Sequence, residues 1–244
     1  MRIKITLKSG KNNLKIPFNY NHILSSIIYK KIDDLDLAYK LHASNSYKFF
    51  TFSQLYISSM KLIKDGFLSK DGVVSFYISS PDEYLIRSLV NGLLDDSTVK
   101  FQYKTLTIEK VEVLKEPIFS DKMQFITLSP IIVRIQKMID DKLKSWDLAP
   151  GDQFFESLSN NLIKKYLLYN NLDSTNKKII FYSEMNKVKK RRIAINKFNQ
   201  ETYHRSYMMD IIVEGDLDLI KFAYDVGIGE KGSMGFGMLD LINK

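Results

Sequence analysis

The chain has 244 residues, of which 45% are hydrophobic, enough for one large domain or two of ordinary size. Its 36 basic and 28 acidic residues give a formal net charge of +8, which favours an anionic partner and most commonly nucleic acid. The absence of cysteine excludes disulfides, thiolate zinc sites and a cysteine nucleophile. With three histidines, no signal-peptide pattern and no apolar run of membrane-spanning length, the sequence predicts a cytoplasmic protein with no metal, no cofactor and no membrane partner.

The first half of the chain alternates strand and helix patterns. Apolar residues recur with period two at its start and with helical spacing over residues 21–35, and Ser80-Pro81-Asp82-Glu83 indicates a capping box with Pro81 at the first helical position. The predicted elements are a strand at 1–8, a helix at 21–35, strands at 49–57 and 73–78, a helix from about residue 81, and strand-like segments within 98–114. This order is βαββαβ, as in ferredoxin-like domains.

The second half repeats that order. Its predicted elements are a strand within 124–135, a helix at 152–168, strands at 178–182, 188–196 and 206–214, a helix at 216–226 and a last strand at 236–242. Pro117 and a charge cluster interrupt the pattern between the halves. The sequence therefore predicts an α+β protein of two tandem ferredoxin-like (RRM-like, βαββαβ) domains, residues 1–118 and 119–244.

A glycine-rich loop lies near the C-terminus. Residues 227–237 read Gly-Ile-Gly-Glu-Lys-Gly-Ser-Met-Gly-Phe-Gly and hold five of the chain's 11 glycines. Such a loop can bring backbone amides close to a phosphate, with Lys231 and Ser233 as additional donors. A mobile turn before the last strand is the alternative. A dinucleotide fingerprint and a nucleotide-triphosphatase phosphate loop are excluded, because the loop follows a helix pattern and lacks Gly-Lys-Ser/Thr.

A basic cluster precedes this loop in the same domain. Its members are Lys187, Lys189, Lys190, Arg191 and Arg192. They flank apolar residues on a predicted hairpin, and ferredoxin-like sheets often bind RNA, so we expect a strand pair that contacts phosphates. A solvated run of charges is the alternative.

One histidine lies in a polar stretch of the first domain. His42 is predicted in a loop between the first helix and the next strand, where an imidazole can reach a substrate. A histidine transfers protons near neutral pH, and Lys48 offers a positive charge for a developing oxyanion. His22, at a helix start, and His204, near a hairpin turn, are weaker candidates.

Several of these segments together resemble one family, the CRISPR repeat-specific endoribonucleases, which cut precursor CRISPR RNA and belong to a repeat-associated superfamily built from ferredoxin-like folds. The superfamily signature is glycine, hydrophobic, glycine, five variable residues including a basic one, then glycine, hydrophobic, glycine. Residues 227–237 fill it completely, with Lys231 as the basic residue. Residues 42–53 resemble the family's catalytic loop running into its second strand, and residues 125–130 resemble the strand that opens its second domain.

The resemblance implies metal-independent RNA cleavage by a Tyr, His, Lys set that maps to Tyr29, His42 and Lys48. Tyr20, Tyr39 and Tyr47 lie nearby and remain alternatives to Tyr29. The expected RNA-binding residues are Lys187, Lys189, Lys190, Arg191, Arg192, Gly227, Gly229, Lys231, Gly232, Ser233, Gly235 and Gly237. CRISPR repeat RNA is the expected partner of a monomer or homodimer, and the CRISPR interference complex is a further candidate partner.

Two other functions stay open on the sequence. One is a non-cleaving subunit of the same superfamily that holds CRISPR repeat RNA through the glycine loop and the basic hairpin. The other is a general RNA-binding protein without preference for repeat RNA. His42 and Lys48 at their observed spacing favour the enzyme.

Overall fold

The computed structural model describes residues 1–42, 47–139, 142–197 and 200–242. The strands of the first half are β1 (Arg2–Ser9), β2 (Leu14–Pro17), β3 (Thr51–Phe52), β4 (Met60–Ile63), β5 (Gly66–Ser69), β6 (Val73–Ser79), β7 (Thr98–Phe101) and β8 (Lys104–Val113). Its helices are α1 (Asn21–Lys30), α2 (Leu35–His42) and α3 (Glu83–Asp95).

The first sheet has the strand order β3-β6-β1-β8-β7. Its central strand β1 pairs antiparallel with β6 and with β8. The alternating residues Ile3, Ile5 and Leu7 are all fully buried, as their period of two predicts. Apart from the edge strand β7, this is the order of a ferredoxin-like domain. Strands β2, β5 and β4 form a separate small sheet that the sequence patterns did not predict.

The second half contributes a second sheet and two hairpins. Its strands are β9 (Lys122–Thr127), β10 (Arg134–Ile139), β11 (Lys142–Asp147), β12 (Ile179–Tyr182), β13 (Lys189–Lys197), β14 (Gln200–Met208), β15 (Asp210–Gly215) and β16 (Leu239–Leu241). Its helices are α4 (Asp152–Asn170) and α5 (Leu217–Val226). Two short 3-10 turns lie at Met185–Lys187 and Gly232–Met234.

The second sheet has the order β12-β15-β9-β16, which repeats the connectivity of the first. The α+β class with two tandem ferredoxin-like domains is therefore confirmed. Each domain has its own hydrophobic core. The predicted boundary between residues 118 and 119 stays a prediction, and it falls in the segment 114–121 that joins β8 to β9. In the described part of the chain, no helix is both long and apolar enough to cross a bilayer.

One predicted helix end and one predicted helix start were wrong. The helix predicted over residues 21–35 ends at Lys30, and α2 begins at Leu35 because the Asp34 carboxylate accepts a hydrogen bond from the Leu37 amide at 2.8 Å. The polar loop predicted around His42 therefore begins later, since His42 is the last residue of α2. At α3, the capping residue is Asp82, which accepts from the Leu85 amide at 3.2 Å.

A buried arginine contributes to the contact between the two domains. Arg2 of β1 lies with its guanidinium 3.5 Å from the centre of the Tyr224 ring and donates to the Tyr224 carbonyl at 2.8 Å. It also pairs with Asp240 at 3.3 Å. Burial lowers the pKa of Arg2, and these partners act in the opposite direction. This contact holds β1 against α5, the helix that leads directly into the glycine loop.

Candidate functional site

The glycine loop, residues 227–237, is packed against the first domain. Three side chains of that domain donate hydrogen bonds to its carbonyls: Asn21 to Met234 at 2.8 Å, Ser25 to Ser233 at 3.0 Å, and Thr51 to Phe236 at 2.8 Å. Asn21 and Ser25 belong to α1 and Thr51 to β3. The loop is thus a contact between the two domains, held by side chains from two elements of the first.

Several glycine amides of the loop already have partners within the protein. The amide of Gly227 donates to Ala223 at 3.0 Å, that of Gly235 to Gly232 at 2.8 Å and that of Gly237 to Pro130 at 2.9 Å. These three N–H groups are not free to bind a phosphate here, which corrects the expected amide cradle at those positions. Gly229 is also buried.

Gly237 shows why the loop needs glycine. Its φ is +75°, and a Cβ at this position would lie 1.8 Å from the Ile228 carbonyl oxygen. The Ile228 amide in turn donates to the Gly237 carbonyl at 2.9 Å. The glycines therefore let the two ends of the loop approach each other. Contact with RNA stays a prediction for the partly exposed residues Lys231, Gly232 and Ser233.

Tyr29 lies on α1 beside the turn of the glycine loop. Its ring meets Phe50 edge-on, with ring centres 5.8 Å apart, and its phenol lies near the Ser233 side chain. Burial raises the pKa of Tyr29, and the nearby Ser233 side chain acts in the opposite direction. Because the net shift is upward, Tyr29 is a neutral phenol at neutral pH and can act as a hydrogen-bond donor.

The chain that follows Lys48 packs against the same turn of the glycine loop. Lys48 is half-buried and lies two residues before Phe50. The Phe50 carbonyl packs so closely on Gly232 that a Cβ there would lie 2.7 Å from it. His42 ends α2, but its side chain and residues 43–46 lie outside the described residues. Its place beside Tyr29 and Lys48 stays a prediction.

The alternative tyrosines have different surroundings. Tyr20 is buried, and its oxygen accepts a hydrogen bond from the Leu55 amide at 3.0 Å. Burial raises the pKa of Tyr20 to about 12, and the Leu55 hydrogen bond acts in the opposite direction. Tyr20 therefore supports the chain around β3. Tyr39 is exposed on α2, and Tyr47 is exposed with its ring stacked on Phe49.

The basic hairpin is formed by β13 and β14. Its four consecutive basic residues are all exposed: Lys189, Lys190, Arg191 and Arg192. The Arg192 guanidinium lies over the Tyr203 ring, 4.1 Å from its centre. Lys187 lies outside the hairpin, in the turn before β13, where it pairs with Asp210 at 3.5 Å and Glu184 at 3.6 Å. The prediction that places Lys187 on the hairpin was wrong.

A groove of about 620 Å³ separates this hairpin from the first domain. One wall carries Arg191, Arg192 and Tyr203, and the other carries aromatic and amide side chains. The amide and aromatic residues of that second wall are Phe18, Asn19, Tyr20, Asn21, Gln54 and Phe67. Aromatic faces stack on bases, arginines contact phosphates, and amides bond base edges. The groove thus has the chemistry to hold a single strand of RNA, and Asn21 connects it to the glycine loop.

The sequence analysis missed a buried lysine beneath the glycine loop. The Lys165 ammonium, on α4, donates to the Gly229 carbonyl at 2.6 Å and to the Gly227 carbonyl at 3.3 Å. Burial lowers the pKa of Lys165 to about 8, while the charge of Glu230 acts in the opposite direction. The sequence could have predicted this burial, because Lys165 follows Leu158 and Leu162 at the spacing of residues on the buried face of α4.

Known families match both halves of the chain. Residues 15–112 match the family model described as CRISPR-associated protein Cas6, N-terminal, and residues 114–241 match that of CRISPR associated protein Cas6, C-terminal. The chain belongs to the Cas6 family. The resemblance stated from the glycine signature is therefore confirmed.

Relatives of this Cas6 family member match over nearly their whole length. The CRISPR-associated endoribonuclease Cas6 1 of Methanocaldococcus jannaschii is 38% identical over 98% of this chain and 92% of its own. The endoribonuclease-like protein Cas6nc of Pyrococcus horikoshii is 32% identical over 99% of this chain and all of its own. A solved structure described as an RAMP protein binding different RNA substrates superposes with a TM-score of 0.88 at 29% identity, covering all of both chains.

Proposed function

We propose that this Cas6 family member is an endoribonuclease that cleaves precursor CRISPR RNA within the repeat to give guide RNAs. The observation that carries the proposal is the packing of α1, which bears Tyr29, against the glycine loop, fixed by the 3.0 Å hydrogen bond from Ser25 to the Ser233 carbonyl. The groove beside that contact supplies a path for single-stranded RNA. The M. jannaschii relative named an endoribonuclease supports the same activity.

The proposed reaction needs no metal, because the nucleophile belongs to the RNA. The ribose 2′-oxygen attacks the adjacent phosphorus, the bond from phosphorus to the 5′-oxygen breaks, and the products carry a 2′,3′-cyclic phosphate and a 5′-hydroxyl. One proton leaves the 2′-hydroxyl and one reaches the departing 5′-oxygen, so a base, an acid and a group that stabilises negative charge are required.

Three residues are proposed for these roles. His42 acts as the general base or acid, since an imidazole exchanges protons near neutral pH. Lys48 stabilises the charge that develops on the phosphorane. Tyr29 orients the phosphate or transfers the second proton, and its raised pKa favours the donor role. The RNA is held by Lys189, Lys190, Arg191 and Arg192 on the basic hairpin and by residues 231–233 of the glycine loop.

The test uses RNA of the repeat sequence from the organism's own CRISPR array. We expect a single cut in the presence of EDTA, a 2′,3′-cyclic phosphate end detected by mass spectrometry, and no cut when the nucleotide at the cleavage site is 2′-deoxy. Cleavage of the deoxy substrate, or a requirement for magnesium, would contradict the mechanism. Equal affinity for repeat and scrambled RNA would contradict the assigned substrate and point to general RNA binding.

A non-cleaving RNA-binding subunit is the second candidate. The relative named Cas6nc, described as endoribonuclease-like, favours it, because this chain is 32% identical to it over almost its full length. The groove and basic hairpin serve binding whether or not the RNA is cut. Tight, repeat-specific binding without cleavage under all conditions would establish this candidate and exclude the first.

A further inference from the structure

We infer that the hairpin β10–β11 is a second RNA-binding arm, whose Trp146 face holds the single strand of RNA beyond the groove. The inference rests on the proposed function, since it concerns the same RNA. It assigns a role to a hairpin that stands outside both ferredoxin-like sheets and outside the basic hairpin.

The register of the hairpin defines this face. Ile135 pairs with Trp146, and Lys137 pairs with Lys144. Cross-strand partners point to the same side of a ladder, and residues two apart along a strand share that side. Trp146, Lys144, Lys142, Ile135 and Lys137 therefore lie on one face, which we call the Trp146 face.

The Trp146 face is open to solvent. Trp146 is the only tryptophan of the chain and is 48% exposed, and its three lysines are exposed as well. An exposed aromatic ring beside lysines is the combination that binds single-stranded nucleic acid, through stacking on a base and contact with phosphates. Lys137 and Lys144 stand directly opposite each other on this face, so both side chains can reach the same stretch of RNA backbone.

The root of the hairpin is fixed to the glycine loop and to the basic hairpin. The guanidinium of Arg134 donates through Nε, at 2.7 Å, and through Nη2 to the same Oε2 atom of Glu230 in the glycine loop. At the partner position on β11, the Asp147 carboxylate accepts a hydrogen bond from the Arg205 amide on β14 at 2.8 Å. The arm is therefore anchored to both elements proposed to hold RNA, and its lysines extend their positive charge outward.

The face opposite the Trp146 face offers the arm a competing use. The other face carries exposed Met138 and Leu143, paired across the strands. A protein partner on that apolar pair is the competing use of the arm, and the experiment below includes it.

The first measurement uses tryptophan fluorescence of the wild-type protein. Repeat RNA carrying a 2′-deoxy nucleotide at the cut site is titrated into the protein, and we expect saturable quenching because Trp146 is the only tryptophan and stacks on a base. Quenching with the same midpoint as binding measured by fluorescence anisotropy of labelled RNA supports the arm. Binding by anisotropy without any change in tryptophan emission contradicts it.

The second measurement compares variants of the two faces. We expect Trp146→Ala to weaken RNA binding about fivefold or more, and Trp146→Tyr to restore most of the affinity. We expect Lys137→Ala/Lys144→Ala to reduce the slope of log affinity against log salt by about 1.4, since each single-strand phosphate contact contributes about 0.7. The double variant Met138→Ala/Leu143→Ala is the matched control and is expected to bind within about twofold of wild type. Circular dichroism checks that every variant is folded.

The outcomes separate this inference from the proposed function. At saturating protein, the control Met138→Ala/Leu143→Ala is expected to cut at the wild-type rate, because its two residues lie on the face opposite Trp146. If wild type binds and cuts repeat RNA, and the Trp146-face variants bind it with wild-type affinity, the inference about the arm is wrong and the proposed function is unaffected. If wild type neither binds nor cuts, both fail. A changed oligomeric state in the Met138/Leu143 variant together with unchanged RNA binding in the lysine variant would make the arm a protein interface.

Discussion

The hydroxyl of Ser25 donates a 3.0 Å hydrogen bond to the carbonyl of Ser233, although the two residues belong to different domains. Tyr29 lies one helical turn further along α1, with its phenol near the side chain of the same Ser233. Since this bond holds the glycine loop against α1, a family signature in one domain helps to position a residue proposed as catalytic in the other.

The hydroxyl of Tyr29 can be removed without disturbing its packing. Tyr29→Phe keeps the ring against Phe50, and we expect single-turnover cleavage of repeat RNA to slow by about tenfold or more, because one positioned donor at the phosphate is lost. The affinity for RNA should stay within about twofold. Tyr103→Phe, at a position 95% exposed in the turn between β7 and β8, is the matched control. Full activity in Tyr29→Phe would transfer the role to Tyr39 or Tyr47.

The imidazole of His42 is expected to carry a proton-transfer step. His42→Ala should slow cleavage by about 10² or more while leaving the affinity nearly unchanged, since general acid–base catalysis acts on the transition state and not on binding. Single-turnover rates at saturating protein measure the first quantity and anisotropy of labelled RNA the second. His22→Ala, at an exposed position on α1, serves as the comparison and should cut at the wild-type rate. A fully active His42→Ala would remove this histidine from the site.

Periodicity was enough to predict the two ferredoxin-like domains. Every second residue of β1 is buried, and α3 and α5 each have one apolar face. Each of these elements packs against a single core, so the spacing of its apolar residues in the sequence was enough to predict it. The strand β4 and the hairpin β10–β11 were missed because both expose most of their described residues, so no buried face marks them. Turn chemistry around Asp34 was also missed, and it moved His42 into a helix.

The site was harder to predict because its contacts cross between domains. The glycine spacing identified the loop, but the bonds from Asn21, Ser25 and Thr51 to its carbonyls join residues far apart in sequence. Spacing alone left both an amide cradle for phosphate and a mobile turn open, and the folded loop uses three of those amides to close on itself and on its neighbours.

The glycine loop is expected to be sensitive to a single methyl group. Gly237→Ala places a Cβ 1.8 Å from a backbone carbonyl at a φ of +75°, so we expect a loss of about 2–4 kcal/mol in the free energy of unfolding. Urea denaturation measures it. Gly10→Ala is the matched control, because a Cβ at Gly10 meets no atom within 4 Å, and its effect should stay below about 1 kcal/mol. Equal stability of the two variants would contradict the packing described for the loop.

The buried ammonium of Lys165 predicts an unusual dependence of stability on pH. Burial lowers its pKa from 10.5 in the unfolded chain to about 8 in the fold. Between these values the unfolded chain holds a proton that the folded chain has released, so the free energy of unfolding gains from this group as pH rises. This contribution to the free energy of unfolding is complete above about pH 10.5 and is lost as pH falls through about 8. For a pKa shift of this size, the contribution is on the order of 3 kcal/mol.

Urea unfolding of wild type, Lys165→Met and Lys164→Met at several pH values tests this dependence. Lys164 is exposed on the same helix, so its removal should leave the pH profile of wild type unchanged. Lys165→Met removes the titrating group, and the difference in unfolding free energy between wild type and this variant should shift in favour of wild type between about pH 8 and pH 10.5. Parallel profiles for wild type and Lys165→Met would mean that the lysine has its ordinary pKa in the fold. That result would contradict a dry contact between Lys165 and the carbonyls of Gly227 and Gly229, since a hydrated ammonium has no reason to release its proton near pH 8.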